Sequence, residues 1–212
     1  MRLALVAALL VTVLGFAGGA RAADDPYAAL LAPAGTCGAA DEQLGLDEPT
    51  ARLVMACLTN YARAHSGLAP LQLSATLSKA GDAKLAADVA CNAFSHEPCG
   101  RPFDTVFADY LRGAAGYRIG ENIAWGTGSY GTPRSIMDAW LHSAGHRENI
   151  LTAGFTEIGI GFLPDQQFQG WSGAQLWSQQ FGTRTPAAAA PPKPVVKKKH
   201  RQPRKRLAHR RS

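Results

Sequence analysis

The sequence predicts an α+β fold in which helices pack against strands that come late in the chain. Apolar residues recur at helical spacing in two early segments, residues 48–66 and 74–92. A Thr-Pro pair at 132–133 marks the start of a later helix. Two segments with strand character, residues 155–162 and 175–181, then follow each other closely. Helices placed before adjacent antiparallel strands indicate an α+β sandwich.

The first 22 residues have the composition of an export signal. Arg2 supplies a positive start, residues 3–16 are apolar, and Ala20-Arg21-Ala22 fits a cleavage site. The apolar run is shorter than the roughly 20 residues that a membrane span needs, which favours a cleaved signal over an anchor. We expect a mature protein that begins near Ala23, lacks a transmembrane segment and is secreted or periplasmic.

The net charge of +6 is distributed unevenly along the chain. Residues 186–212 are rich in Ala and Pro and then carry ten Lys or Arg without an acidic residue. Residues 23–185 hold all 16 acidic residues against ten basic ones, so the body of the protein is acidic. The tail cannot bury a core, and its composition predicts an extended, disordered segment.

The charge of the tail restricts its partners. A flexible run of Lys and Arg could hold the protein on anionic cell-surface polymers or on lipid headgroups. The tail has no aromatic residue on which a base could stack, and export would separate the protein from most nucleic acid. Nucleic acid is therefore disfavoured as a partner.

Four cysteines suit two disulfides in an exported chain. Three pairings are possible, and we favour near neighbours: Cys37 with Cys57, and Cys91 with Cys99. Residues 23–49 show no clear period and are interpreted as an N-terminal leader. Cys37 would fasten this leader to the first helix.

The first helix opens at Glu48-Pro49-Thr50 and ends at Gly67. Asn60 and Arg63 lie near its end and are interpreted as capping and surface-pairing residues. The residues expected on its buried face are Leu53, Val54, Cys57, Leu58 and Tyr61.

The second helix is expected to begin at the N-cap Ser74 and to stop before Pro98. Lys79, Asp82 and Lys84 fall off its apolar face, so we expect them at the surface.

Residues 101–116 mix aromatic and charged positions and predict a short amphipathic helix. The glycine-rich segment 126–131 lacks the Lys of a phosphate-binding loop, which argues against nucleotide binding. The helix that starts at Pro133 should bury Trp140 and end at Gly145. In the strand 155–162, Gly159 and Gly161 share one face and permit another backbone to approach closely. Residues 163–173 are interpreted as a turn region.

Three polar residues from distant segments are the candidate site. His96 lies in the small loop that a Cys91–Cys99 disulfide would close, and Glu121 and His146 each lie beside a glycine. Two imidazoles and a carboxylate are ordinary ligands of a divalent cation such as zinc, with water at an open position. The alternative is three unrelated roles: a loop histidine, a helix-capping glutamate and a histidine bonded to the backbone.

Two other chemistries find little support. His142 and His146 are four residues apart, but Gly145 lies between them and the second position of an H-E-x-x-H motif is not Glu. Ser95 adjoins His96, but sequence neighbours rarely meet as nucleophile and base, and no G-x-S-x-G motif is present.

The chain from about residue 53 to residue 181 resembles the CAP superfamily, which comprises the cysteine-rich secretory, antigen 5 and pathogenesis-related 1 proteins and is also called SCP. Its bacterial secreted branch is the most similar. The motifs that carry the resemblance occur in the order of the family: Asn-Tyr-Ala-Arg (60–63), Phe-Ser-His (94–96), Gly-Glu-Asn-Ile-Ala-Trp (120–125), Trp140, Gly-His-Arg-Glu-Asn-Ile-Leu (145–151), Glu-Ile-Gly-Ile-Gly (157–161) and Gln-Gln-Phe-Gly (179–182).

The resemblance implies a three-layer α-β-α sandwich, with the CAP domain at residues 50–185. It also implies a central cavity lined by two histidines and two acidic residues that can hold a divalent cation. His96, Glu121 and His146 match three of these residues. Ser143 stands where the family has a Glu, three positions after Trp140. The loss of this carboxylate should lower the affinity for a metal.

Two functions follow as hypotheses. The first is a non-enzymatic binding module, in which the cavity of His96, Glu121, His146 and Ser143 takes a cation or a small or lipid ligand. The second is a metal-dependent hydrolase, in which Glu121 acts as the base on a metal-bound water. The missing fourth acidic residue favours the first.

Overall fold

The structure, a computed structural model, describes residues 25–187. The predicted export signal (1–22) and the basic part of the predicted tail lie outside the described residues. Within them, no helix has both the length and the apolar character required to cross a membrane.

The described chain contains five α-helices and four β-strands, joined in part by short 3-10 turns. The helices are α1 (Glu48–His65), α2 (Ala75–Cys91), α3 (Ala108–Leu111), α4 (Pro133–His142) and α5 (Ala144–Leu151). The strands are β1 (Gln72–Leu73), β2 (Ala114–Gly126), β3 (Glu157–Phe168) and β4 (Trp171–Pro186).

The four strands form one sheet in the order β1-β3-β4-β2. β1 is parallel to β3, and the other two pairings are antiparallel. β2 is therefore an edge strand, with one side bonded to β4 and the other side free of strand partners. The candidate site lies along this edge.

Helices cover both faces of the sheet, so the predicted three-layer α-β-α sandwich is confirmed. Ile158, Ile160 and Phe162 of β3 point to one face and join α1, α4 and α5 in the main hydrophobic core. α2 lies on the other face, against the glycines of β3. A Cβ atom at Gly159 would overlap the backbone of Leu77, which is why this helix can pack so close to the sheet.

The helix-start residues and apolar periods identified α1, α2 and α4 correctly, although Ser74, the predicted N-cap of α2, makes no side-chain capping bond. The Asp47 side chain caps α1 by accepting from the Thr50 amide, and the Thr132 side chain caps α4 in the same way. Trp140 is buried on α4 as expected. The face predicted for α1 is wrong at one position, because Leu53 is 64% exposed.

Four elements differ from the prediction. β2 was not expected, although it pairs with β4 over most of its length. The predicted helix at 101–116 is reduced to a 3-10 turn followed by the four-residue α3. A new helix, α5, begins directly after α4 where the sequence suggested an end. β3 runs on through the predicted turn region, because a shift in register beside Pro164 accommodates a residue that cannot donate to the ladder.

Both predicted disulfides are present, Cys37–Cys57 and Cys91–Cys99. The first joins the leader to α1 as expected. The second closes the loop that contains His96, and so limits the positions this residue can take.

Two cations predicted at the surface are buried. Arg63 and Lys84 are each 1% exposed. Arg63 donates to the carbonyl oxygens of Ala69 (2.9 Å), Ile150 (2.8 Å) and Thr152 (3.0 Å), so it ties the end of α1 to two connecting segments. Sequence position alone does not reveal this burial, because both residues lie on amphipathic helices where a cation usually faces water.

Candidate functional site

The site forms where the free edge of β2 meets the loop after α2 and the beginning of α5. Glu121 lies in β2 opposite Gln180 of β4. Gln180 is in turn opposite Gly159, which faces α2. Because residues paired across a ladder share a face, the Glu121 side chain points towards the α2 layer.

Both oxygens of the Glu121 carboxylate have a partner. The imidazole of His96 lies with Nδ1 2.7 Å from Oε1, and the amide of Gln180 donates to Oε2 at 2.7 Å. The Glu121 side chain is fully enclosed, whereas that of His96 is 52% exposed. The acid is thus a fixed group inside the protein, and His96 is the part of the pair that solvent or a ligand can reach.

The contact defines the state of the His96 ring. When Glu121 is ionised its oxygens only accept, so Nδ1 carries the proton and Nε2 keeps a free lone pair. The hydrogen bond to Glu121 raises the pKa of His96, and burial opposes this rise. A carboxylate behind one ring nitrogen with the other nitrogen free is the arrangement found in metal-binding histidines.

His146 is the second imidazole of the site. It belongs to α5, is half-buried, and its buried Nδ1 has no hydrogen-bond partner among the described residues. Burial lowers the pKa of His146, and repulsion from His96 lowers it further, so the two rings are close enough to influence each other. An unpartnered buried nitrogen costs free energy unless a ligand, an ion or water satisfies it.

A network of amides holds α5 against β2. Asn122 donates to the backbone carbonyl of His146 at 3.0 Å and to the side chain of Gln179 at 2.8 Å. Asn149 donates to the side chain of Asn122 at 2.9 Å and to the carbonyl of Glu121 at 3.1 Å. These bonds satisfy part of the open edge of β2 and fix His146 relative to Glu121.

Two cavities flank the site. One of about 300 Å³ lies beside His96, between α2 and the segment that carries Arg101 and Phe103. The other, of about 240 Å³, contains Ser143 and His146. Its remaining walls are mostly apolar and come from Phe94, Ile123, Ala124, Trp125, Ala139 and Trp140.

The structure therefore brings the predicted residues together in two pairs. His96 bonds to Glu121, and Ser143 shares a cavity with His146. Within residues 25–187, His96, Glu121 and His146 are not one of the groups of three whose ligating atoms all lie within 4.8 Å of one another. Glu121 stands behind His96 and does not face both imidazoles.

One such group does occur, and it is made of Asp25, Asp138 and His142. Both ring nitrogens of His142 are already engaged: Nδ1 with the Asp138 carbonyl at 2.9 Å and Nε2 with Asp25 at 3.0 Å. Tyr27 also packs edge-on against this ring. The contacts explain the group as a hydrogen-bonded attachment of the leader to α4.

Gln180, Asn122 and Asn149 were not identified from the sequence. Each occurs within a motif that carries the family resemblance, but an amide in a strand or short helix also suits an exposed position. The useful signal is the alternation of β4, since residues 178–180 are all polar and yet all buried. Adjacent buried polar residues on a strand require partners on both faces of the sheet.

Comparisons with known proteins agree with this architecture. The profile of the Cysteine-rich secretory protein family (CAP) matches residues 57–181. The uncharacterized protein YkwD of Bacillus subtilis is 39% identical over 126 residues, which cover 58% of this chain and 44% of that protein. The chain thus spans less than half the length of this curated relative.

A solved structure has a similar fold: an outer surface protein of Borrelia burgdorferi is 18% identical, with a TM-score of 0.54 and coverage of 66% of this chain and 97% of that one. At this identity the likeness concerns the fold alone. An extracellular protein of Bacillus anthracis that contains an SCP domain also matches, at 21% identity, with a TM-score of 0.49 and coverage of 66% of this chain and 44% of that one.

Proposed function

This chain belongs to the cysteine-rich secretory protein (CAP) family, and on that premise we propose that it is an exported binding module rather than an enzyme. Its edge-strand site binds a divalent cation or a small ligand, and its basic tail holds it on an anionic surface. Export is supported by the composition of residues 1–22 and by the two disulfides.

One observation carries the proposal for the site. Two neighbouring imidazoles each offer a nitrogen that no described residue uses: Nε2 of His96 and the buried Nδ1 of His146. Neutral imidazole nitrogen is a good ligand for zinc and for related cations. The residues present therefore fit a cation, which His96 and His146 would hold while Glu121 orients the His96 ring from behind.

The arrangement argues against a hydrolase in which Glu121 is the base. A general base must reach the proton that it abstracts. Both oxygens of Glu121 are occupied and its side chain is fully enclosed. The position where the family has a second acidic residue is Ser143, which supplies no carboxylate. A bound cation would supply positive charge for a ligand here.

The cation site is tested by titrating EDTA-treated mature protein with zinc in a calorimeter. We expect one site per chain, and we expect His96→Ala and His146→Ala each to weaken binding more than about tenfold. His65→Ala is the matched control, because His65 is exposed and bonds to the carbonyl of Tyr61. The proposed site is contradicted if the unaltered protein binds no zinc, or if all four proteins bind zinc with the same affinity.

The surface role is supported by charge. Ten basic residues follow an acidic body, so the tail and the body should orient the protein with its tail towards an anionic surface. The chemistry recognised is a dense array of phosphate or carboxylate groups, as in wall polymers, lipopolysaccharide or anionic lipid headgroups.

A deletion of residues 188–212 tests this role and leaves β4 and Pro186 intact. The full chain should sediment with anionic phospholipid vesicles or purified wall polymer at low salt and be released at high salt. The truncated chain should bind neither. Binding of the truncated chain, or binding that resists salt, would show that the tail is not the anchor.

A further inference from the structure

We propose that the buried ion pair of Lys84 and Asp88 on α2 positions His96 by holding the backbone carbonyl of Ser95. The inference deepens the proposed cation site, because it names the residues that set the direction of one of its ligands.

The ion pair contacts the backbone of Ser95 through Lys84. Lys84 Nζ donates to Asp88 Oδ1 at 2.8 Å and to Oδ2 at 2.9 Å, and it donates a further bond to the carbonyl oxygen of Ser95. Asp88 thus holds the ammonium group that satisfies the carbonyl of the residue directly preceding His96.

Lys84 contacts the loop at Ser95, between the two cysteines that the disulfide joins. Cys91 and Cys99 fix the two ends of this loop. The chain turns sharply after α2, where Asn92 is in the left-handed region with a φ of 47°. Between these ends the ion pair is the contact that orients the backbone at Ser95. His96 then follows with its Nδ1 directed at Glu121.

Stability alone does not account for the pair. The side chains of Lys84 and Asp88 are 1% and 0% exposed, so both charges have lost their hydration. Replacing such a buried pair with apolar residues of similar volume is often neutral or stabilising. Burial also raises the pKa of Asp88, which shows that the site is unfavourable for its charge. A role in fixing one conformation of the loop would explain why this helix contains a buried ion pair that adds little to stability.

The same helix provides a matched control pair. Asp82 of α2 accepts from Arg52 of α1 at 2.6 Å, and Arg52 also donates to the carbonyl of Ile160. This second pair joins α1, α2 and β3 and does not touch the loop that contains His96. Its removal also takes away one cation and one anion, so the net charge of the protein is unchanged, and it does not release Ser95.

The test compares Lys84→Met/Asp88→Leu with Arg52→Met/Asp82→Leu in zinc-free protein. The readout is the nitrogen NMR signature of the His96 ring at a pH where the ring is neutral. This signature reports which nitrogen carries the proton. We expect the unaltered protein and the Arg52/Asp82 variant to show protonated Nδ1. In the Lys84/Asp88 variant the tautomer should shift towards protonated Nε2, the form that a free histidine prefers. A folded Lys84/Asp88 variant with an unchanged tautomer overturns the proposal.

A second measurement needs no variant and so does not depend on folding of the double mutant. In the unaltered protein the buried Lys84 ammonium donates to Asp88 and to the Ser95 carbonyl, so its hydrogens should exchange more slowly than those of an exposed lysine by more than about tenfold. Exchange as fast as that of an exposed lysine overturns the proposal, because it shows that the ammonium group is not held.

Zinc titration of the same variants separates the two proposals. If the ion pair positions a cation ligand, the Lys84/Asp88 variant should lose about tenfold in zinc affinity and the Arg52/Asp82 variant should not. If the two variants bind zinc with equal affinity, the ion pair does not position a ligand of the cation site. An unaltered protein that binds no zinc overturns the proposed function instead, and the tautomer and exchange results then decide the positioning role by themselves.

Discussion

Arg63 and Lys84 are equally buried cations on the two helices that sandwich the sheet, yet they have different kinds of partners. Within residues 25–187, Arg63 on α1 has no carboxylate partner and donates to three backbone carbonyls. Lys84 on α2 pairs with Asp88 and with the backbone of Ser95. The carbonyls held by Arg63 belong to the last turn of α5 and to two connections between elements, whereas Ser95 adjoins a residue of the candidate site.

The difference indicates two uses of a buried charge. Arg63 is itself buried, satisfies the buried carbonyl of Ile150 and bonds to two further carbonyls from separate parts of the chain, so its removal should affect the whole fold. Lys84 brings its own counter-charge, and the pair could be replaced by apolar residues with the fold retained. Stability should therefore depend mainly on Arg63, and the geometry of His96 mainly on Lys84.

The largest expected effect comes from Arg63→Met. The change leaves the buried Ile150 carbonyl without its Arg63 donor, which costs about 1–3 kcal/mol, and it removes two part-buried bonds, to the carbonyls of Ala69 and Thr152. We expect the free energy of unfolding in urea to fall by at least about 2 kcal/mol. The His96 tautomer should be unchanged in whatever fraction of the variant remains folded.

Arg112→Met is the control for the loss of one arginine. Arg112 is 79% exposed and pairs with Asp109 at the surface, so its removal should change stability by less than about 0.5 kcal/mol. Similar stabilities of the two variants would contradict the role assigned to Arg63.

The sequence predicted those elements that carry a strong local signal. The N-caps and apolar stripes located α1, α2 and α4, and the alternation around Gly159 and Gly161 identified both β3 and its close contact with a helix. β2 was missed because its glycines and charges resemble a loop, and because its order comes from β4, whose paired residues are 49 to 72 positions away in the chain.

The site was predictable only in part for a related reason. The motifs that resemble the CAP family located His96, Glu121 and His146, but spacing could not show that Glu121 would stand behind one imidazole. The Lys84–Asp88 pair has the four-residue spacing of an ordinary surface ion pair. Its burial is decided by the loop that folds over it, which no local pattern encodes.

A smaller effect is expected for Gly161→Ala, which tests the attachment of α2 itself. A Cβ at this position would lie 2.7 Å from the carbonyl oxygen of Gly81, so the helix must move away from the sheet. Overpacking of this kind costs about 1–3 kcal/mol. Because α2 carries Lys84 and Asp88, the same change should also disturb the His96 tautomer, unlike Arg63→Met.

Gly145→Ala is the matched control, because a Cβ there would meet nothing within 4 Å. It should leave stability unchanged or raise it by up to about 1 kcal/mol. Thermal unfolding of the two alanine variants makes the comparison. A Gly161→Ala protein as stable as the Gly145→Ala protein would show that α2 does not depend on the close approach.

The smallest effect is a difference in titration between the two imidazoles of the site in zinc-free protein. The bond to Glu121 raises the pKa of His96 above its ordinary value of 6.5, and burial lowers the pKa of His146 below 6.5. NMR should therefore show His96 still protonated at a pH where His146 is neutral. Glu121→Gln should lower the pKa of His96, because the anionic acceptor is lost.

The two shifts act on stability with opposite signs. The raised pKa of His96 stabilises the fold at pH values below 6.5, and this contribution disappears as the pH rises through the folded-state pKa. The lowered pKa of His146 destabilises the fold as the pH falls from 6.5 through the folded-state pKa, because the unfolded chain binds that proton first. His146→Ala should therefore reduce the loss of stability on acidification below pH 6.5. If both rings titrate together at pH 6.5, Glu121 does not hold His96. Lys84 would then have no oriented histidine to position, and the contrast between Arg63 and Lys84 would fail.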